Sequence, residues 1–143
     1  MPADPSLTII LREWIHKAEG DITNASHTLK LGQHCPTETV VFHAQQCVEK
    51  YIKAALTFHH IACPKVHDIE HLVRLLPAGL LDWFSVKEQR TLTSYAVTAR
   101  YPGDFEPISL AEARAAVKLA RRVRAELRTL FPKSALSKVA PPQ

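Results

Sequence analysis

Apolar residues recur every three or four positions through most of this chain, and that rhythm restricts it to helices. The clearest run is Leu7, Leu11, Trp14, Ala18, Ile22, Ala25 and Leu29. Its spacing matches the 3.6-residue turn of an α-helix and not the two-residue alternation of a strand. Ser6 is placed to cap this helix and Gly32 to stop it. A second run, Val41, Ala44, Val48, Tyr51, Ala55 and Phe58, follows Pro36-Thr37-Glu38, a proline-led helix opening. Cys63-Pro64 closes it, because a residue before proline avoids the α region.

Further along, Asp68 can cap a short helix from Ile69 to Leu76, ended by Pro77 and Gly79. Two Ser-x-x-Glu patterns, Ser85 to Glu88 and Ser109 to Glu112, read as capping boxes. The first opens a helix with Leu92, Tyr95, Ala96 and Ala99 on one face, stopped at Tyr101-Pro102-Gly103-Asp104. The second opens a long helix with Leu110, Ala113, Val117, Ala120, Val123, Leu127 and Leu130 inward. We therefore expect an all-α, up-and-down bundle of four long helices and a short one. Its domain spans residues 7–131, between a disordered stretch at 1–6 and a flexible tail at 132–143. With 4 glycines, 3 tyrosines and 5 phenylalanines, the chain lacks the turn and aromatic content of a β-sandwich or barrel.

Composition excludes several chemistries. No G-x-G or G-K-[ST] arrangement exists, so neither a dinucleotide fingerprint nor a phosphate loop can be built. There is no H-E-x-x-H and no C-x-x-C. His59, Cys63, His67 and His71 fall four apart, but Pro64 breaks the helical register among them, and we expect no metal site and no cofactor. Cys47 lies beside the apolar stripe, where a thiol packs rather than reacts. The odd cysteine count, 3, and the lack of a signal-like N-terminal stretch lead us to expect a reducing, cytoplasmic setting. No run reaches the roughly 18 apolar residues of a membrane span, so no membrane partner is expected.

Charge is unevenly placed. Residues 1–111 hold 10 Lys/Arg and 12 Asp/Glu, a net of −2, whereas residues 112–143 hold 8 and 2, a net of +6. Such a basic segment reads either as a solvated helix face or as a phosphate-binding one. On the second helix His43, Gln46, Lys50 and Lys53 form a polar stripe, and Glu49 is placed to pair with Lys53. That stripe is a solvated face unless it has company. Arg100 and Tyr101, at a Pro-Gly corner, offer a planar fork for phosphate and a ring for a base to stack on; the alternative for Arg100 is to hold the corner.

Three elements in order resemble HEPN domains. Phe42-His43-Ala44-Gln45-Gln46-Cys47-Val48-Glu49-Lys50-Tyr51-Ile52-Lys53 is similar to their F-x-A-Q-Q-A-x-E-K-x-x-K signature. His67-Asp68-Ile69 resembles their H-D-L element, and Tyr95 through Asp104 their Y-x-V-x-x-R-Y-P element. The likeness runs from about Ile9 to Leu130. It implies a helical bundle, commonly a homodimer, often encoded beside a minimal nucleotidyltransferase. It also implies nucleotide or RNA binding, and in many members metal-independent RNase activity in toxin–antitoxin and defence systems. The set of ligand-binding residues we expect is His43, Gln46, Lys50, Lys53, His67, Asp68, Arg100 and Tyr101.

Catalytic members carry an Arg followed, after four to six residues, by a His. Here Arg12 precedes His16 by only three intervening residues, and no His follows His71. We therefore expect a non-catalytic binding module. The alternative is an RNase with a non-standard site, for which His67 and Arg100 are the candidates.

Overall fold

The computed structural model describes residues 5–98, 102–103 and 106–137. Among them are α1 (Pro5–Leu29), α2 (Thr37–Phe58), α3 (Ile69–Leu75), α4 (Val86–Thr98), α5 (Leu110–Arg128) and α6 (Lys133–Leu136), with one 3-10 turn at Gly32–His34 and no strand. The expected all-α bundle is what forms. Two boundaries differ from the sequence reading. The first helix already includes Pro5 and Ser6. Beyond residue 131, where the sequence suggests a tail, Lys133–Leu136 makes a further helical turn that buries Ala135 against the core. Pro132 sets up that turn, since its fixed φ and missing N–H suit a helix entry.

Packing centres on α2. From Cys47 to Leu56 every residue except Lys50 is buried. Helix α1 lies antiparallel to it, with Asp21 opposite His43 and Trp14 opposite Lys53. Helix α5 runs parallel to α2: Thr37 donates to the Ile108 carbonyl at one end, and Arg128 donates to the Tyr51 hydroxyl at the other. The core faces carry the anticipated residues, including Leu11, Ala18, Ile22, Val41, Ala44, Val48, Tyr51, Leu92, Val117, Val123 and Leu127, each at 7% exposure or less. Burying a large apolar side chain stabilises by about 1.5–3 kcal/mol, so the α2 stripe alone accounts for much of the drive to fold.

Local signals explain the helix ends. Asp68 caps α3 by accepting from the His71 N–H. In the first capping box both reciprocal bonds form between Ser85 and Glu88. Ser109 accepts from the Glu112 N–H at the start of α5. Gly79 adopts φ +93°, a left-handed geometry that suits glycine in the turn after α3. The following loop is fastened to α5, because Glu126 accepts from the Leu81 N–H and the Trp83 indole, and Arg122 lies 3.9 Å above the Trp83 ring.

Candidate functional site

Two polar regions flank α1, the first built around the carboxylates of Asp21 and Glu49 and the second around that of Glu19. The first lies where α1, α2 and the start of α3 meet. Asp21, 7% exposed, accepts from His43 Nδ1 at 2.8 Å and from Lys50 Nζ at 2.6 Å. Next to Lys50 on α2, Glu49 accepts from Lys53 Nζ at 3.2 Å, Gln45 Nε2 at 3.1 Å and His67 Nδ1 at 2.9 Å. Gln46 donates to Gln45, and Gln45 also reaches the His67 carbonyl. Lys53 Nζ stands 5.7 Å from the centre of the Trp14 ring.

The polar stripe of α2 is thus turned inward as much as outward. His43 and Lys50 clamp α1 through Asp21. The Glu49–Lys53 pair is present, but its side chains are 4% and 8% exposed, so it is a buried pair and not a surface one. Asp68 serves α3 as its cap. His67 joins this network through Glu49, while its ring remains 57% exposed. A carboxylate only accepts, so Nδ1 carries the proton in the bond to Glu49, and in the neutral ring the lone pair sits on Nε2. Arg100 and Tyr101, together with Ala99 and Asp104, lie outside the described residues.

Asp21, Gln45, Glu49 and Trp14 were not among the expected ligand set. A readable signal was there: Asp21 lies three and four residues from Ala18 and Ala25, inside the apolar rhythm. Gln45 and Glu49 share a helical face with Ile52 and Leu56. A polar residue on a core-facing register is a buried one with partners.

The second region lies between α1 and α5. Arg124 makes a two-pronged contact with Glu19, both bonds 2.6 Å, and Arg128 bridges Glu19 and the Tyr51 hydroxyl. Burial pushes Glu19 upward, but hydrogen bonds from Arg124 and Tyr51 and the charges of both arginines outweigh it, holding the carboxyl below its ordinary range. Burial also drives the Tyr51 hydroxyl well above its usual value. Outward on the same helix, Arg114, Lys118 and Arg121 occupy one exposed face, with Arg122 beside it. Arg121 donates to the Ser26 hydroxyl, and Arg114 and Lys118 make no ion pair among the described residues.

Other candidates resolve simply. Cys47 is fully buried, and burial with the nearby Asp21 and Glu19 charges pushes its thiol far upward, which removes it as a nucleophile at neutral pH. Among the described residues no three His, Cys, Asp or Glu side chains are grouped to hold a metal ion, and no helix is long and apolar enough to cross a membrane. His67 lies against Glu49, whereas Cys63 Sγ lies 3.4 Å from the Lys53 carbonyl.

Comparison with known proteins adds an independent line. The HEPN domain model matches residues 11–130 of the chain. The fold is similar to the crystal structure of an archaeal HEPN homologue, with a TM-score of 0.64 and 25% sequence identity, covering 84% of this chain and 96% of that one. No curated protein matches the chain.

Proposed function

The chain belongs to the HEPN domain family, and from that premise we propose that it is a non-catalytic binding module for RNA or nucleotides. In this reading it is a homodimer that acts beside a minimal nucleotidyltransferase in a toxin–antitoxin or defence-type system. HEPN domains typically dimerise, which supports the pairing.

The observation that carries the binding is the exposed cationic face of α5. Arg114, Lys118 and Arg121 follow one another at one-turn intervals, with Arg122 alongside. A helical turn rises about 5.4 Å, close to the step between phosphates on an extended strand, so one face can meet successive phosphates. Phosphate contacts of this kind supply affinity without reading bases. The Asp21 and Glu49 networks contribute differently: they spend the α2 cations on holding α1, α2 and α3 in place, so ligand charge is met on the α5 side.

Fluorescence anisotropy with a short mixed-sequence RNA tests this. Four phosphate contacts on a single strand predict a log–log salt slope of about −3. The double variant Arg114→Glu, Lys118→Glu reverses charge at two solvent-facing positions and flattens that slope. Binding that ignores salt and survives the double variant would sink the reading. For the non-catalytic half, the RNA stays intact during incubation with the protein in EDTA.

One observation favours a second reading, metal-independent RNA cleavage. His67 Nδ1 rests on a buried carboxylate, an arrangement that orients a histidine for proton transfer at its other nitrogen. Arg100 would have to supply the cation for the phosphate. Cleavage in EDTA that disappears in both His67→Ala and Arg100→Ala establishes that enzyme and removes the binding-only reading.

A further inference from the structure

We propose that the cleft between α1, α5 and α6 is a receptor for a phosphomonoester group, carried by a free mononucleotide or by the end of an RNA strand. The inference rests on the phosphate-binding reading above and narrows it to a concave site.

The cleft encloses about 470 Å³, and its polar lining includes Arg12, His16, Glu19, Arg124, Arg128 and Ser137. That volume lies within the range of small-molecule sites. Arg12 and His16 are four residues apart on α1, so they share a face; Arg124 and Arg128 do the same on α5. Residues Ala135 to Ser137, at α6, form the third wall.

Charge is the selective feature. Three guanidiniums face one carboxylate, and Glu19 is held ionised by Arg124 and Arg128, so two positive charges are left over before His16 is considered. A phosphomonoester carries a charge approaching −2 at neutral pH, whereas a strand-internal phosphodiester carries −1. The cleft therefore matches a terminal or free phosphate better than the middle of a strand.

The arginines are also prepared for such a group. Glu19 and Tyr51 fix the orientation of Arg124 and Arg128 without using all the N–H groups of either fork. Arg12 is different: among the described residues it makes no ion pair. A phosphate seated between Arg12 and the Arg124–Arg128 pair would offer acceptor oxygens to the terminal N–H groups of all three side chains. Planar guanidiniums suit that task, since two parallel N–H groups can grip two phosphate oxygens.

The test uses the whole chain with four probes: adenosine 5′-monophosphate, adenosine, and one ten-nucleotide RNA made with either a 5′-phosphate or a 5′-hydroxyl. We expect binding of the monophosphate but not of adenosine, and tighter binding of the 5′-phosphorylated RNA. In Arg12→Ala the monophosphate affinity falls about tenfold or more, the worth of a charged hydrogen-bonded contact. The preference for the phosphorylated RNA end disappears with it, while the 5′-hydroxyl RNA binds as before. Arg12 makes no ion pair among the described residues, so circular dichroism of the variant stays that of the parent chain. Arg12→Lys restores only part of the affinity, because a lysine has no fork. Monophosphate binding without any RNA binding supports the cleft and removes the α5 reading. RNA binding that ignores the 5′ group, with no monophosphate binding, overturns the cleft and leaves the α5 reading standing. Monophosphate binding unaffected by Arg12→Ala also overturns it.

Discussion

Removing Glu49 and removing Lys53 are unequal perturbations, although the two residues form one ion pair. Glu49 receives three hydrogen bonds, from Lys53, Gln45 and His67. Lys53 has Glu49 as its only carboxylate partner among the described residues, with the Trp14 ring 5.7 Å away as a weak second. Glu49→Gln therefore strands an ammonium whose side chain is 8% exposed. Breaking a buried pair costs about 3–5 kcal/mol; the retained amide oxygen and the ring face place this case at the lower end, about 3 kcal/mol. Lys53→Met leaves a carboxylate with two donors and a volume-matched apolar side chain against Trp14, and should cost about 1–2 kcal/mol. In the double variant neither member of the pair is charged. It should be more stable than Glu49→Gln alone, with a coupling of about 2 kcal/mol. Urea unfolding reads all three. With a slope of about 2 kcal/mol/M, Glu49→Gln lowers the midpoint by about 1.5 M. Equal losses from the two single variants, or a double variant less stable than Glu49→Gln, would refute this account of which partner depends on which.

The Glu19 carboxyl is held below its ordinary value, so it favours the folded state above the unfolded-chain value of about 4.3. That contribution fades as pH falls from there through the depressed value; thermal melts between pH 6 and pH 3 should show a steeper acid loss in the parent than in Glu19→Gln. Cys47, buried and with its thiol pushed up, should stay unreactive to a disulfide reagent in the native chain, while Cys35 and Cys63, both partly exposed, react; native labelling of Cys47 contradicts the packing. Ser85→Ala removes a cap that accepts from the Glu88 N–H and should cost about 1 kcal/mol in urea unfolding, against a negligible change for Ser94→Ala on the solvent face of α4.

Much of the scaffold was legible because helix periodicity depends only on local residue order. The Leu7-to-Leu29 rhythm, the Asp68 cap and the Ser85–Glu88 box each say where a helix runs or starts before any partner is known, and the structure forms all three. The fate of Lys53 was not legible in the same way. Its charge argues for water, its register for the core, and only the presence of Glu49 and Trp14 around it decides the matter. The arginine cleft was further out of reach. Glu19 and Arg124 stand 105 positions apart, so no spacing rule links them; their meeting depends on α5 lying back along α1. The turn at Lys133–Leu136 eluded the sequence for a related reason: its one core contact, Ala135, is too small to mark a stripe.

The burial of α2 from Cys47 to Leu56, with Lys50 the one exception, has a dynamic consequence. A helical segment buried in this way cannot shed its amide protons by fraying or by swinging aside; exchange there requires the bundle itself to come apart. Amides from Cys47 to Leu56 should accordingly be the slowest in the chain to take up deuterium, and no ligand can change their rates without changing global stability. The central segment is in this sense the axle of the bundle, the part that stays in place while outer elements open and close locally.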